Sequence, residues 1–288
     1  MSDIRNKLRI NSVSDLHLEF YKAEGIDFPR LGYSEDLDIL VLAGDIITSS
    51  RNGVPEDFTD WIIEQGKYAK HVIYIPGNHE YYKGRRDKFA RIVKERFKGT
   101  NINFLLNDSV VIEGVRFIGT DLFSDHKIGI RKDIELLERE LYAKQNAHRI
   151  SDFKAITAKY NGYKKLNIYI RSQWHQEAKS YILNELNNSK EPTVLITHHG
   201  IDKEQLIDYG KGDDLYFLDA SDIVDQILET KNPPLYHFSG HNHQFKTGVL
   251  RGKLPYLINS RGYFINKSND FLIKDFKSDY LVEIEIGG

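Results

Sequence analysis

Five of the chain's eleven histidines stand where a short apolar run stops: His17, His79, His198, His241 and His243. Asp15, Asp45 and Asn78 stand in the same kind of place. Imidazole nitrogens and carboxylate or amide oxygens bind divalent transition metals, and with no cysteine in the chain a thiolate site is excluded. In Asp15-Leu16-His17 the first and third residues leave an extended strand end on one side. The same holds for His241-Asn242-His243, although a loop there can aim the two rings at different ions. Gly44 and Gly77 precede Asp45 and Asn78, and glycine allows the sharp turn that brings backbone and side chain close to a cation. So many buried polar groups without an ion between them would be costly.

These residues need elements to bring them together. Leu8 to Val13 runs into Ser14-Asp15-Leu16-His17, Leu37 to Ala43 into Gly44-Asp45, and His71 to Ile75 into Pro76-Gly77-Asn78-His79-Glu80. Val110 to Ile118 runs into Gly119-Thr120-Asp121, Thr193 to Ile196 into Thr197-His198-His199, and Leu235 to Phe238 into Ser239-Gly240-His241-Asn242-His243. Short β-rich runs with such punctuation predict buried strands. Helical spacing is expected over Asp57 to Lys70, Arg86 to Phe97, Arg171 to Leu186 and Ala220 to Leu228. Alternating strands and helices imply an α/β core, and ligands at the carboxyl ends of its strands would converge on one crevice. Phe245 to Val249, Leu254 to Ile258 and Tyr280 to Ile286 predict an antiparallel finish. The charged, tyrosine-rich stretch from 128 to 170, helical around Lys132 to Ala143, reads as an insertion or cap on a single domain spanning 1–288.

Composition sets limits. The 288 residues are 40% hydrophobic and 12% aromatic, which excludes disorder as the main state. Forty Lys and Arg against forty-two Asp and Glu leave a net charge of −2, so there is no global basic field for nucleic acid. The amino-terminal stretch is charged, with no apolar run of signal length, and no stretch approaches the roughly 20 apolar residues of a membrane span. A cytoplasmic protein without membrane attachment or an obligate protein partner is the expectation.

Asp-x-His, Gly-Asp, Gly-Asn-His-Glu, a strand ending in His and Gly-His-x-His, in this order, resemble the calcineurin-like metallophosphoesterases. The likeness spans about residues 8 to 262. Ser14-Asp15-Leu16-His17-Leu18-Glu19-Phe20 and Asn259-Ser260-Arg261-Gly262-Tyr263 are similar to stretches of small bacterial and phage phosphohydrolases. The resemblance implies a four-layer αββα sandwich of two mixed sheets flanked by helices. It also implies two metal sites, one from Asp15, His17, Asp45 and His243, the other from Asp45, Asn78, His198 and His241, with Asp45 bridging. His79 would contact the phosphoryl or leaving-group oxygen. His198 is preferred over His199 as the residue directly after the strand, leaving His199 in a supporting or substrate-side place.

Two such ions would clamp both oxygens of an in-line displacement and acidify a bridging water into a nucleophile, while His79 protonates the departing alkoxide. Manganese, iron, zinc or nickel suit the mixed nitrogen and oxygen set, with manganese the first choice. The expected reaction is metal-dependent hydrolysis of a phosphoric ester on a phosphorylated small molecule or nucleotide-type substrate.

One departure bears on the substrate. Related protein phosphatases carry an arginine shortly after Gly-Asp and another after Gly-Asn-His-Glu. Here Ile46-Ile47-Thr48-Ser49 and Tyr81-Tyr82 stand in those places. That tilts the reading toward phosphodiesters, with a monoesterase on a small metabolite as the alternative and a non-catalytic metal-binding scaffold behind both. Asn78, His79 and Arg261 are the candidate substrate contacts. Tyr81 and Tyr82 wall the cleft, stack a base, or simply pack. Lys83, Arg85 and Arg86 either attract an anion or start a solvated helix. His126 either lines the pocket or sits on a solvated loop, and His71, His148, His175 and His237 read as structural or surface residues.

Overall fold

The runs that end in polar residues form the middles of two sheets. The computed structural model describes residues 7–33, 36–126, 136–159, 162–206, 220–263 and 275–286. One sheet holds β1 (Lys7–Val13), β2 (Ile39–Ala43), β3 (His71–Ile75) and β4 (Ile102–Phe104), all parallel, with β13 (Leu281–Glu285) antiparallel to β1 at the edge. The other runs β11 (Phe245–Leu250), β12 (Leu254–Asn259), β10 (Tyr236–Ser239), β9 (Thr193–Thr197), β6 (Val115–Thr120) and β5 (Asp108–Ile112). Its four inner strands are parallel and its two edges antiparallel.

Every residue of Ile39–Ala43 is fully buried, which a parallel strand requires when both faces are covered. Alternation then assigns the faces. Ile39, Val41, Ala43, Ile73 and Ile75 meet Phe117, Val194, Ile196, Phe238 and Leu257 between the sheets. Leu40, Leu42, Val72 and Tyr74 face outward onto α1 (Leu18–Glu24), α2 (Glu56–Gln65) and α3 (Arg86–Arg96). Ile118, Leu195 and Ile258 face outward onto α6 (Ile168–Asn188) and α7 (Val224–Leu228). The layers are therefore helix, sheet, sheet, helix, as the resemblance implied.

The continuous run from Val110 to Ile118 is not one strand. Glu113 and Gly114, at φ 49° and 77°, make a two-residue turn between β5 and β6. Positive φ at both central positions is the mirror-image turn that matches strand twist, and Glu-Gly signals it more weakly than Asn-Gly. The stretch around 128–170 contains α4 (Leu136–Asn146), α5 (Ser151–Ala155) and the hairpin of β7 (Thr157–Lys159) with β8 (Tyr163–Lys165). The start of the helix expected from Lys132 lies outside the described residues. Phe153, Ile156, Ala158, Leu166 and Ile168 join the apolar cluster that also holds Tyr81 and Phe89. Asn167 caps α6, its side-chain oxygen accepting the Tyr169 and Ile170 N–H groups at 3.0 Å each. Among the described residues no helix is long and apolar enough to cross a membrane.

Candidate metal centre

The strand ends are laced to one another by backbone bonds. Asp15 N donates to Gly44 O at 2.9 Å, His17 N to Asp45 O at 3.0 Å, and Gly240 N to His198 O at 3.0 Å. The side chains are then aimed by an uncommon backbone: Asp15, His17, Asp45, His241 and His243 all have positive φ, between 40° and 67°. Non-glycine residues in this region cost about 1–3 kcal/mol each and persist where the surroundings over-determine them. Glu80 supplies part of that restraint. Its buried carboxylate accepts the N–H groups of Asp45, Ile46, Ile47 and Gly77 and the Tyr74 hydroxyl, at 2.7–3.2 Å. Gly77 is required sterically, since a Cβ there would overlap Asp45 Oδ1 and stand 2.6 Å from His198 Nε2.

Side chains distant in sequence meet at these ends. His17 Nε2 lies 3.1 Å from His243 Nε2, and His243 Nε2 lies 3.2 Å from Asp15 Oδ1. Two imidazole lone pairs cannot face each other at that distance without a proton or a cation between them. His198 Nδ1 donates to the Ala43 carbonyl at 2.9 Å, which leaves Nε2 turned inward, 3.4 Å from Asp45 Oδ2 and 3.1 Å from Asn78 Oδ1. The His241 ring lies 5.2 Å from that of His198. Donor atoms of Asp15, Asp45 and His198 lie within 4.8 Å of one another, and so do those of His17, Asp45 and His79. Asp45 thus stands between both groups.

Burial and neighbouring charge act in opposite senses here. Burial pushes the Asp15 and Asp45 carboxyls upward, but the surrounding histidines hold both well below the usual carboxylate range. Burial pulls His198 down, and the Asp45 carboxylate outweighs it, with Asp15 and the Ala43 carbonyl helping, so that the ring is raised to about 10. The same carboxylates that raise this ring would attract a cation between them. The donor set therefore fits divalent cations held by nitrogen and oxygen.

His199 is placed differently from His198. Its Nδ1 donates to Asp121 O at 3.0 Å and its Nε2 accepts from the Arg171 guanidinium at 3.2 Å. Both nitrogens are engaged, and the ring lies 4.1 Å from that of His241. His79 stands at the edge of the cluster. Its Nδ1 bonds Glu19 Oε1 at 2.9 Å, its Nε2 meets the Tyr263 hydroxyl at 3.1 Å, and Tyr82 stacks on the ring at 4.1 Å. Burial lowers its pKa, but Asp45 and Glu19, with Asp152, raise it to about 9.

The remaining sequence candidates lie elsewhere or are committed. The Arg261 guanidinium sits over the rings of Tyr21 and Phe276, at 5.4 and 5.6 Å. Tyr81 is buried against Phe89, Phe123 and Trp174. Arg86 forms a bidentate pair with buried Asp121, at 2.6 and 3.1 Å, and Arg85 bonds Asp87. His126 is buried, not solvated. Residues 207–219, Asp213 and Asp214 among them, lie outside the described residues.

Sequence reasoning passed over Glu19, Glu80, Asp152, Arg171 and Tyr263. Glu19, Glu80 and Tyr263 lie inside the quoted motifs and were open to notice. Asp152 and Arg171 carry no local signal.

A model described as calcineurin-like phosphoesterase matches residues 8–245. An uncharacterized protein of Acanthamoeba polyphaga mimivirus is 25% identical over 276 residues, covering 89% of this chain and 92% of that protein. The uncharacterized metallophosphoesterase YkoQ of Bacillus subtilis (strain 168) is 30% identical over 142 residues, 46% of this chain and 50% of that one. The crystal structure of phosphopantetheinyl hydrolase (PptH) from Mycobacterium tuberculosis superposes with a TM-score of 0.66 at 18% identity, covering 90% of this chain and 91% of that one.

Proposed function

The chain belongs to the calcineurin-like phosphoesterases, metal-dependent hydrolases of phosphoester bonds, and from that premise we propose that it cleaves a phosphodiester at a dinuclear centre with His79 as general acid. Asp15, His17, Asp45 and His243 would hold one ion; Asp45, Asn78, His198 and His241 the other. Two bound cations, manganese first among those to try, would supply Lewis-acid charge at the phosphoryl oxygens.

The observation that carries the reading is the pair of hydrogen bonds that orient the His79 ring beside the donor cluster. Glu19 accepts from Nδ1, so in the protonated ring the proton free for transfer is on Nε2, and the Tyr263 hydroxyl at 3.1 Å marks where a departing oxygen would receive it. Positioned acids of this kind contribute about 10²–10⁴-fold. The diester preference rests on positions that offer no cation: Ile46, Ile47 and Tyr81 are fully buried apolar or aromatic residues. A diester carries less charge than a monoester and needs fewer such contacts.

A monoesterase is the second reading, and Arg171 favours it, since its guanidinium reaches His199 beside His241. The name of the mycobacterial neighbour makes phosphopantetheinyl-bearing molecules one class to test.

Metal-stripped protein reloaded with Mn²⁺ should cleave bis-p-nitrophenyl phosphate faster than p-nitrophenyl phosphate. The reverse order would move the assignment to monoesters. Silence on both, together with about one ion per chain by elemental analysis, would overturn the dinuclear hydrolase.

A further inference from the structure

Asn78 can serve a cation only through Oδ1, and its amide would turn as readily the other way unless something fixes it. The fixing group comes from 74 residues further along the chain. Asp152, on α5, accepts from Asn78 Nδ2 at 2.9 Å. A carboxylate can only accept, so this contact forces Nδ2 toward Asp152 and Oδ1 toward His198 Nε2, 3.1 Å away. The same Asp152 oxygen accepts the Tyr82 hydroxyl at 2.8 Å, and Tyr82 is the ring stacked on His79.

Asp152 is itself held. It is 2% exposed, and its other oxygen lies 3.9 Å from the Arg171 guanidinium. The backbone around it is sewn to the His79 loop: Lys83 N donates to Ala155 O at 3.0 Å, and Thr157 N to Gly84 O at 3.1 Å. In buried surroundings a charged acceptor on an amide is worth more than the same contact in water.

We propose that Asp152 is a positioning residue for the second ion: it presents Asn78 Oδ1 to the cation, so that α5 helps to set metal occupancy. This rests on the dinuclear reading above, with Asn78 as a ligand.

The test is calorimetric titration of metal-free protein with Mn²⁺, which does not depend on turnover. In wild type two ions bind. Asp152→Ala should weaken the second ion by about 10–100-fold and leave the first unchanged. Asn78→Ala should weaken the same ion, and the double variant should be no worse than Asn78→Ala alone, because one acts through the other. Where Asp152→Ala fails to fold, Asp152→Leu decides: it fills the same space, offers no acceptor to Asn78 Nδ2 or the Tyr82 hydroxyl, and should show the same loss. Wild-type affinity for both ions in a folded Asp152 variant would overturn the proposal, as would losses that multiply in the double variant. If wild type itself bound a single ion, the dinuclear reading would fall and the proposal with it.

Discussion

The strand-end loops and the 147–171 stretch reach the same polar centre by different means. In the loops, five of the seven proposed ligands sit on left-handed backbone, cross-laced by main-chain bonds and pinned by Glu80. In the other stretch, Asp152 lies within α5 and Arg171 within the first turn of α6, both regular helix, and their neighbours Phe153 and Ile170 are ordinary core. The contrast separates two demands. Holding a cation needs several short side chains converging on a point, which only turns of restricted geometry provide. Fixing the orientation of those side chains needs one well-placed acceptor or donor, and a helix suffices. Substitutions in the first region should therefore cost activity and metal, and substitutions in the second should cost stability or act through the first.

The largest effect expected on the loop side is that of His79→Ala. Loss of a positioned acid should lower kcat by about 10²–10⁴-fold. The stability cost should be about 1–3 kcal/mol, because removing the ring takes away its stack on Tyr82 and leaves Glu19 to His17 alone. Steady-state kinetics and urea melts of one preparation check both halves. A stability loss as large as the kinetic one would erase the distinction between the regions.

Arg171→Met should show the opposite profile. The guanidinium is 1% exposed and faces His199 and the carboxylate of Asp152. Removing one partner of a buried pair leaves the other uncompensated, a loss of about 3–5 kcal/mol in denaturant unfolding. Stability unchanged, with KM raised, would instead place Arg171 among the substrate contacts and strengthen the monoester reading.

Gly77→Ala tests whether the loops tolerate any added volume. The new methyl would overlap Asp45 Oδ1 and crowd His198 Nε2. Overpacking of this kind costs about 1–3 kcal/mol, and here it also displaces two proposed ligands. Metal content per chain should fall more steeply than the melting temperature. A variant that keeps two ions would show that the loop can give way.

What could be read in advance follows the same division. That Asp15, His17, Asp45, Asn78, His198, His241 and His243 come together was legible because they stand at the ends of strands, and strand ends restrict position. The sheet interior was legible because Ile39–Ala43 and Thr193–Thr197 are apolar runs of strand length. The β5–β6 turn was not, since Glu113 gives little sign of a positive φ. Short elements such as α1, with seven residues, and β4, with three, carry too few periodic positions to stand out. Asp152 was invisible for a different reason: its partner Asn78 is distant in sequence, and an aspartate on a helix has no feature that distinguishes it from a solvated one.

Glu19 is the case between the two regions, and its substitution should have the smallest effect. It sits two residues after His17, on the first turn of α1, yet like Asp152 it works on another side chain: Oε1 lies 3.3 Å from His17 Nδ1 and 2.9 Å from His79 Nδ1. Glu19→Gln keeps an oxygen for both rings and removes only the charge. His79 is raised to about 9 by carboxylates that include Glu19, so loss of that charge moves its pKa down. An acid must be protonated to act, so activity is retained below the pKa and lost as pH rises through it. The alkaline limb of the kcat profile should therefore shift to lower pH. The loss should be smallest on the acid side and grow along the alkaline limb, to at most about tenfold for one unit of displacement. It should also be greater for an alkyl ester than for a p-nitrophenyl ester, whose departing oxygen needs little help from a proton. An equal loss at every pH and for both esters would mean that Glu19 holds the rings in place and does not tune the proton on His79.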